Sequence, residues 1–381
     1  MTKRRSPYIW VMTREYPPIV FGGVGTVAAQ LTKAFIRSNM TVNVVTKSAT
    51  GSIHFSQQHG SGVLRIPEIK PYFHGFAYQT RFFQRAADRY FSGLPDIIHV
   101  HSIEFAAAAL WYKRKYRIPV VYTCHSLISN SRKNAARKKS QNRLFRHADR
   151  ITVPSMWLKR SILKEHAAAA SKVSVIPHGV QSVSDGTKIA PLHLLFVGRI
   201  IKSKGIEPLI RSISILSARN KRVRLTVIGK GSAQYEQRLR TIASKAGVSR
   251  HIRWLGHLPH AKVQRLYSSY GAVVVPSQNE SFCLVALEAM ANGIPLVSTR
   301  AGGLKQFVNT TNARTIRSVD SQAISRAITA MWQDPNGTRQ RAANAKRLAK
   351  RYSWPKRAMQ YEALFDTLLK ARRRAGQRVK A

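Results

Sequence analysis

The feature that most limits the fold of this chain is a series of short runs that are apolar at consecutive positions. Tyr8–Met12 and Val120–Thr123 are of this kind, and Val42–Thr46, Ile97–Val100 and Ile151–Val153 join them with one polar residue inside each. A strand with one wet face alternates apolar and polar residues, whereas continuous runs of four or five, rich in β-branched side chains, fit strands covered on both faces. Helices must then lie above and below them. Thr26–Arg37 has the periodicity of such a helix, between the first two strands. The pattern predicts a parallel α/β sheet.

The pattern then restarts. Leu194–Val197, Arg224–Ile228, Ala272–Val275 and Leu296–Ser298 form a second set of predicted strands, and the polar, turn-rich stretch Gln181–Ala190 separates the sets. A chain of 381 residues suits two such domains better than one. The expectation is two doubly wound, Rossmann-like domains, 1–182 and 183–357, with an amphipathic helix near Tyr361–Lys370 in the remaining segment 358–381. Ligands on open parallel sheets bind at the carboxyl ends of the strands, so both sets of strand ends are expected to face a central cleft.

Charge is the unusual part of the composition. Lys and Arg number 64 against 16 Asp and Glu, a formal +48. Such a field attracts polyanions, or reflects adaptation of the whole surface to its milieu. The excess is spread along the chain rather than held in one patch. Two cysteines, Cys124 and Cys283, are too few for a disulfide framework or a zinc site and fit a reducing cytoplasm. Lys3-Arg4-Arg5 is followed by an apolar run, Tyr8–Met12, too short for the core of a signal peptide. No stretch approaches the roughly 18 apolar residues of a membrane span, so any membrane contact is expected to be peripheral.

One motif misleads. Gly23-Val-Gly25-Thr-Val-Ala28 has the spacing of a dinucleotide fingerprint. The first strand, however, ends near Met12, Pro17-Pro18 intervene, and no acid that could hold a ribose lies between Glu15 and Glu68. The glycines Gly22, Gly23 and Gly25 are better read as a loop entering a helix, where backbone can approach a ligand.

The stretch Ala272–Ser298 reads as strand, loop, helix, glycine stop and strand. Glu280 falls on the loop at the strand's carboxyl end. Ser281, Phe282, Cys283 and Leu284 lie at the helix start, where N–H groups suit a phosphate. Glu288 lies within the helix. In Leu194-Leu-Phe-Val-Gly198-Arg199-Ile-Ile-Lys-Ser-Lys204-Gly205, a buried strand runs into a turn whose Arg199 and Lys204 suit a diphosphate, Arg through paired planar hydrogen bonds and Lys as a compact charge. His99 and His101, and then His125, follow or end strands of the first domain, and His125 is the better placed for a ligand.

These pieces together resemble the retaining glycosyltransferases of family 4, relatives of glycogen and sucrose-phosphate synthases, over nearly the whole chain. The matching pieces are Glu15-Tyr-Pro-Pro with Gly22-Gly23, Pro95-Asp-Ile-Ile-His-Val-His with Thr123-x-His125, Ala148-Asp149 through Ser155, and Val175-Ile-Pro-His-Gly179-Val. Phe196-Val-Gly-Arg199 with Lys204-Gly205, Glu280 and Glu288 with seven residues between them, Gly302-Gly303 and Tyr352-Ser-Trp354 complete the order. The resemblance implies the two-domain GT-B fold, with the last helix returning to the first domain. It implies that Glu280 contacts the donor sugar near its reacting carbon, Glu288 the ribose, Arg199 and Lys204 the diphosphate, and His125 the sugar, with Gly22 and Gly23 closing over donor and acceptor. The chain departs from the pattern at Cys283, where the family has glycine, at Lys305-Gln306, where it has Pro-Glu, and at Ser102, where close relatives of glycogen synthase carry Asp. These departures weigh against a glycogen-type acceptor.

The activity so implied moves a sugar from a nucleoside-diphosphate sugar to an acceptor hydroxyl on a glycan, a lipid or a polyanionic envelope polymer, with retention. Arg199, Lys204 and helix N–H groups would neutralise the leaving diphosphate, so no metal and no cofactor is expected, and the sequence has no Asp-x-Asp pair. A GT-B phosphorylase or epimerase and a non-catalytic polyanion-binding relative are the alternatives. No nucleic-acid-binding motif is present. The segment 132–146, with Arg132, Lys133, Arg137, Lys138, Lys139, Arg143 and Arg146 and no acid, suggests peripheral contact with the inner face of an anionic membrane, flanked by Leu127, Ile128, Leu144 and Phe145.

Overall fold

The computed structural model describes residues 6–20, 22–67, 76–181 and 192–378. The chain divides into two compact units. One comprises the residues up to Gly179 together with those from Trp354 onward, and the other runs from Val180 to Ser353.

In the first unit the strands are β1 (Tyr8–Met12), β2 (Thr41–Lys47), β3 (His54–Gln58), β4 (Ser61–Ile66), β5 (Ile97–Val100), β6 (Val120–Thr123), β7 (Arg150–Val153) and β8 (Val173–Val175). They form one sheet in the order β3-β4-β2-β1-β5-β6-β7-β8. All pairings are parallel except the β3–β4 hairpin. The helices are α1 (Gly23–Arg37), α2 (Phe76–Tyr90), α3 (Ala106–Tyr116), α4 (Ala135–His147) and α5 (Met156–Glu165). Every residue of β1, β5 and β6 is buried, as expected of strands covered on both faces, and His99 of β5 is buried with them. Trp10 anchors one side of the sheet, edge-on to Tyr112 at 5.2 Å and to Phe83 at 5.9 Å. Its indole N–H donates to the Tyr8 hydroxyl at 2.9 Å, so the buried polar atom is satisfied.

The second unit has β9 (His193–Val197), β10 (Arg224–Ile228), β11 (Ile252–Gly256), β12 (Ala272–Val275), β13 (Leu296–Ser298) and β14 (Arg314–Thr315), ordered β11-β10-β9-β12-β13-β14. All of these pairings are parallel. Its helices are α6 (Ile206–Arg219), α7 (Ala233–Lys245), α8 (His260–Leu266), α9 (Leu284–Ala291), α10 (Ser321–Gln333) and α11 (Pro335–Ala349). The last helix, α12 (Trp354–Arg378), belongs to the first unit. Tyr361 on it places its hydroxyl 3.0 Å from both Thr123 and Thr152 on neighbouring strands, and Phe365 packs on Phe35 of α1 at 5.6 Å.

The strands expected from sequence are present within a residue or two of the stated bounds. The unexpected ones are β3, β4, β8, β11 and β14. The last helix is longer than its amphipathic stretch suggests, beginning at Trp354. Residues 182–190 of the expected linker lie outside the described residues. Among the described residues no helix is long and apolar enough to cross a membrane.

Candidate active site

Among the parallel strands of each sheet the order reverses once, and loops on either side of such a reversal splay apart to leave a crevice at the carboxyl ends. In the second unit the reversal falls between β9 and β12. Arg199 and Lys204 lie on the loop leaving β9, and Glu280 lies on the loop leaving β12, so the topology alone carries these three residues to the switch point.

Close backbone packing then sets the distance. Gly205 has φ +70°, and a Cβ there would lie 2.1 Å from the Pro276 carbonyl oxygen. Only glycine allows the turn 202–204 to lie against the loop after β12. The Gln278 N–H donates to the Ser203 carbonyl at 2.8 Å and fixes the contact. Lys204 Nζ thereby reaches Glu280 Oε1 at 2.5 Å, and the Ser277 hydroxyl donates to the same oxygen at 2.9 Å. The Glu280 side chain is 10 % exposed and that of Lys204 19 %. On its other side the Glu280 backbone is held by the Gly302-Gly303 turn. The Gly303 N–H donates to the Glu280 carbonyl at 2.6 Å, and a Cβ at Gly302 would come 2.2 Å from that oxygen. Arg199 is exposed on the same loop as Lys204.

Helix α9 starts directly after this loop. Phe282 is buried against Phe307 at 5.1 Å, pinning the segment that leads into the first turn. Cys283 occupies the N-cap with φ +82°, a left-handed conformation that glycine adopts freely and a residue with a Cβ does not. Burial, and then the Glu280 carboxylate, push the Cys283 thiol well up from its ordinary range. The N–H groups of the α9 first turn have no carbonyl one turn earlier in the helix and point out of its end. Glu288, one turn further on, is buried rather than a surface acid. Its Oε1 accepts from His260 Nε2 at 2.7 Å and its Oε2 from the Tyr267 hydroxyl at 2.9 Å.

In the first unit the reversal falls between β1 and β5. Gly22 caps α1, and its N–H donates to Glu15 Oε2 at 3.1 Å. Ten residues separate Met12 from the helix start at Gly23, so the dinucleotide spacing at Gly23 does not form a tight strand-to-helix turn. His101 follows β5, and its Nδ1 lies 3.1 Å from His125 Nε2, one ring donating and the other accepting. His178 lies against His125, ring centres 5.2 Å apart. His99 Nε2 is bonded to Thr123 at 2.7 Å. Burial holds all four neutral. It lowers His125 to about 4, and together with the nearby His125 it lowers His99 to about 3. His101 and His178 are driven the same way by burial and then by neighbouring histidines.

Of the residues expected at the site, Lys204 and Glu280 touch, with Cys283 beside them. Arg199 shares the Lys204 loop, and Glu288 lies deeper on α9. Gly22, Gly23 and His125 belong to the other unit. Sequence reasoning missed Ser277, His260, Tyr267 and His178. Ser277 stands three residues before Glu280, a spacing that offered a signal. His260 and Tyr267 lie more than 20 residues from Glu288, and no local pattern links them to it.

Two doubly wound sheets, each with its loops gathered at a switch point, are the architecture of the GT-B fold. The chain belongs to glycosyltransferase family 4 and is a glycosyltransferase: residues 21–182 match the family described as Glycosyltransferase Family 4, and residues 186–348 match Glycosyl transferases group 1. Among relatives, it is 27 % identical to a glycogen synthase of Mycobacterium tuberculosis, over 91 % of each chain. It is 28 % identical to a D-inositol 3-phosphate glycosyltransferase of Corynebacterium glutamicum, over 71 % of this chain and 72 % of that one. Among solved structures, sucrose-phosphate synthase from Thermosynechococcus elongatus superposes with a TM-score of 0.80 at 20 % identity, covering 96 % of this chain and all of that one. Anabaena HepE, solved with UDP and glucose, superposes with a TM-score of 0.75 at 18 % identity, covering 94 % of this chain and 99 % of that one.

Proposed function

We propose that this enzyme transfers a sugar from a nucleoside-diphosphate sugar to an acceptor hydroxyl with retention of configuration. The observation that carries the reading is the Lys204–Glu280 pair at the β9/β12 switch point, beside the first turn of α9. The energetic problem in such a transfer is negative charge gathering on the departing diphosphate. Cations and N–H groups already fixed in place lower that barrier without reorganising during the reaction. Lys204, Arg199 and the N–H groups of residues 281–284 are assigned this part. In this reading the protein supplies the positive charge, and no metal is called on.

Glu280 is assigned to the donor sugar near the reacting carbon, held there by Lys204 and Ser277. Glu288 is assigned to the ribose, oriented by His260 and Tyr267. His125, Gly22 and Gly23 are assigned to the sugar side of the reaction. HepE with UDP and glucose supports a nucleoside-diphosphate donor. The relatives named for glycogen synthesis and for inositol-phosphate glycosylation act on different acceptors, so the acceptor hydroxyl is left at the level of a glycan, lipid or envelope polymer.

The test is a thermal-shift screen against UDP, GDP and ADP and their sugars, followed by single-turnover release of nucleotide from the donor that binds. One nucleotide is expected to raise the melting temperature in the wild type and in Glu280→Gln, with release lost in the variant. No stabilisation by any of the three would refute the reading.

A further inference from the structure

Helix α4 has two unlike faces. On one, Gln141, Leu144 and Phe145 are buried. Gln141 accepts from the Ile128 N–H at 3.0 Å and donates to the Ser126 carbonyl at 2.9 Å, which clamps the preceding loop to the helix. The other face, with the end of that loop, lines a cavity of about 820 Å³. Its lining includes Arg132, Lys138, Lys139, Arg143, Arg146 and His147 and contains no carboxylate. Lys139, Arg143 and Arg146 are four and then three residues apart, so they stack on one side of the helix over roughly 11 Å of its axis. Glu165 on α5 pairs with Lys138 at 2.5 Å, and the lining stays strongly positive. His147 registers this: burial first, and then Arg146, Arg143, Lys172 and Lys113, hold its imidazole below the ordinary value.

We propose that this cavity binds a soluble chain carrying successive phosphates. Cations distributed along a helix axis match a linear polyanion better than one isolated phosphate, and the arginines offer it paired planar hydrogen bonds. A bilayer surface is the weaker match. A helix that lies in a membrane interface needs an apolar face to bury. Here Leu144 and Phe145 are in the core, and Leu127 and Ile128 pack against it. The exposed large apolar residues among those described, Ile53, Leu94, Met156 and Met359, lie outside the segment. Binding at this cavity does not depend on the sugar-transfer reading and is measured without a donor.

The experiment titrates the full chain with tripolyphosphate and with a longer linear polyphosphate by calorimetry. It compares the wild type with Arg132→Gln/Lys139→Gln/Arg146→Gln, three exposed positions, and with the control Arg219→Gln/Lys221→Gln/Arg222→Gln. The wild type is expected to bind the longer chain more tightly than tripolyphosphate. The cavity variant is expected to lose at least about tenfold in affinity through three missing charge-assisted contacts, and the control to stay within about twofold. Saturating tripolyphosphate is expected to raise the His147 titration midpoint seen by NMR, because bound phosphate offsets the surrounding cations. Equal losses in both variants would mean diffuse charge and overturn the proposal, as would an unmoved His147. It also fails if the cavity variant loses binding to vesicles of phosphatidylglycerol and phosphatidylcholine while the wild type ignores both polyphosphates.

Discussion

Lys204 and Glu280 are 76 residues apart in sequence, and their charged atoms meet at 2.5 Å where the loops after β9 and β12 converge. The pair makes activity and stability separable. Arg199→Ala and Lys204→Ala are each expected to cost about 2–4 kcal/mol of transition-state stabilisation, as loss of a preorganised electrostatic donor does. Their stabilities are expected to differ. Arg199 is exposed, and its loss falls within about 0.5 kcal/mol. Lys204→Ala strips a nearly buried carboxylate of its counter-ion and costs about 1–3 kcal/mol. Denaturant melts and initial rates check both, and near-normal turnover in both variants would remove them from the diphosphate site.

Glu288 receives hydrogen bonds on both carboxylate oxygens. Glu288→Gln is expected to weaken nucleotide binding measured by calorimetry while leaving the rate at saturating donor largely intact, since a ribose contact is mostly ground-state binding. Tyr267→Phe is expected to lower stability by about 1–3 kcal/mol, because it removes one partner of a buried acceptor. A saturated rate that collapses in Glu288→Gln, with nucleotide affinity unchanged, would reverse the roles of the two glutamates.

Cys283 holds a backbone conformation that suits glycine. Cys283→Gly is expected to stabilise the protein by about 1 kcal/mol through relief of the left-handed strain, less what the lost side chain contributed. Cys283→Ala keeps the Cβ and is expected to gain nothing. Thermal melts of the two variants decide it: equal effects would show that side-chain packing, not backbone strain, governs the position. With its ionisation pushed up by burial and by Glu280, the wild-type thiol is expected to react slowly with a disulfide reagent at pH 8.

The buried histidines set a pH dependence. Unfolded histidine protonates near pH 6.5, whereas in the fold His125 is held near 4 and His99 near 3. Below pH 6.5 the unfolded chain therefore binds protons that the folded chain refuses. The stabilisation, complete above pH 6.5, is lost progressively as pH falls toward 4 and then 3, at about 1.4 kcal/mol per pH unit for each such histidine. With only 16 acidic residues in the chain, carboxylate protonation contributes comparatively little to this loss. Urea melts at intervals from pH 7.5 to 4.5 measure it. Constant stability from pH 7 to 5 would mean that the histidines are not held neutral.

The sequence by itself determined the interior of both sheets. β1, β2, β5, β6 and β7 in one unit, and β9, β10, β12 and β13 in the other, each have a strand on either side. Lying inside the sheet, they are also covered on both faces by helices and are apolar almost throughout, and that leaves a run to read. β3, β8, β11 and β14 were not legible because they are the four sheet edges. An edge strand has one neighbour and more water, so Gln57, Gln58 and Arg253 are tolerated there and the pattern dissolves. β4, beside an edge, hides behind Ser61, Gly62 and Arg65. The sequence also marked Glu280, Glu288, Arg199 and Lys204, since each falls on or just after a loop between a predicted strand and helix. It did not determine their partners. That Lys204 meets Glu280, that Ser277 supports it, and that His260 and Tyr267 hold Glu288 follow from which strands lie side by side and from how closely Gly205 and Gly302 let separate loops approach. The same holds for helix α4. Its charges are visible in the sequence, but only packing shows that Gln141, Leu144 and Phe145 turn inward and leave the cations lining a cavity.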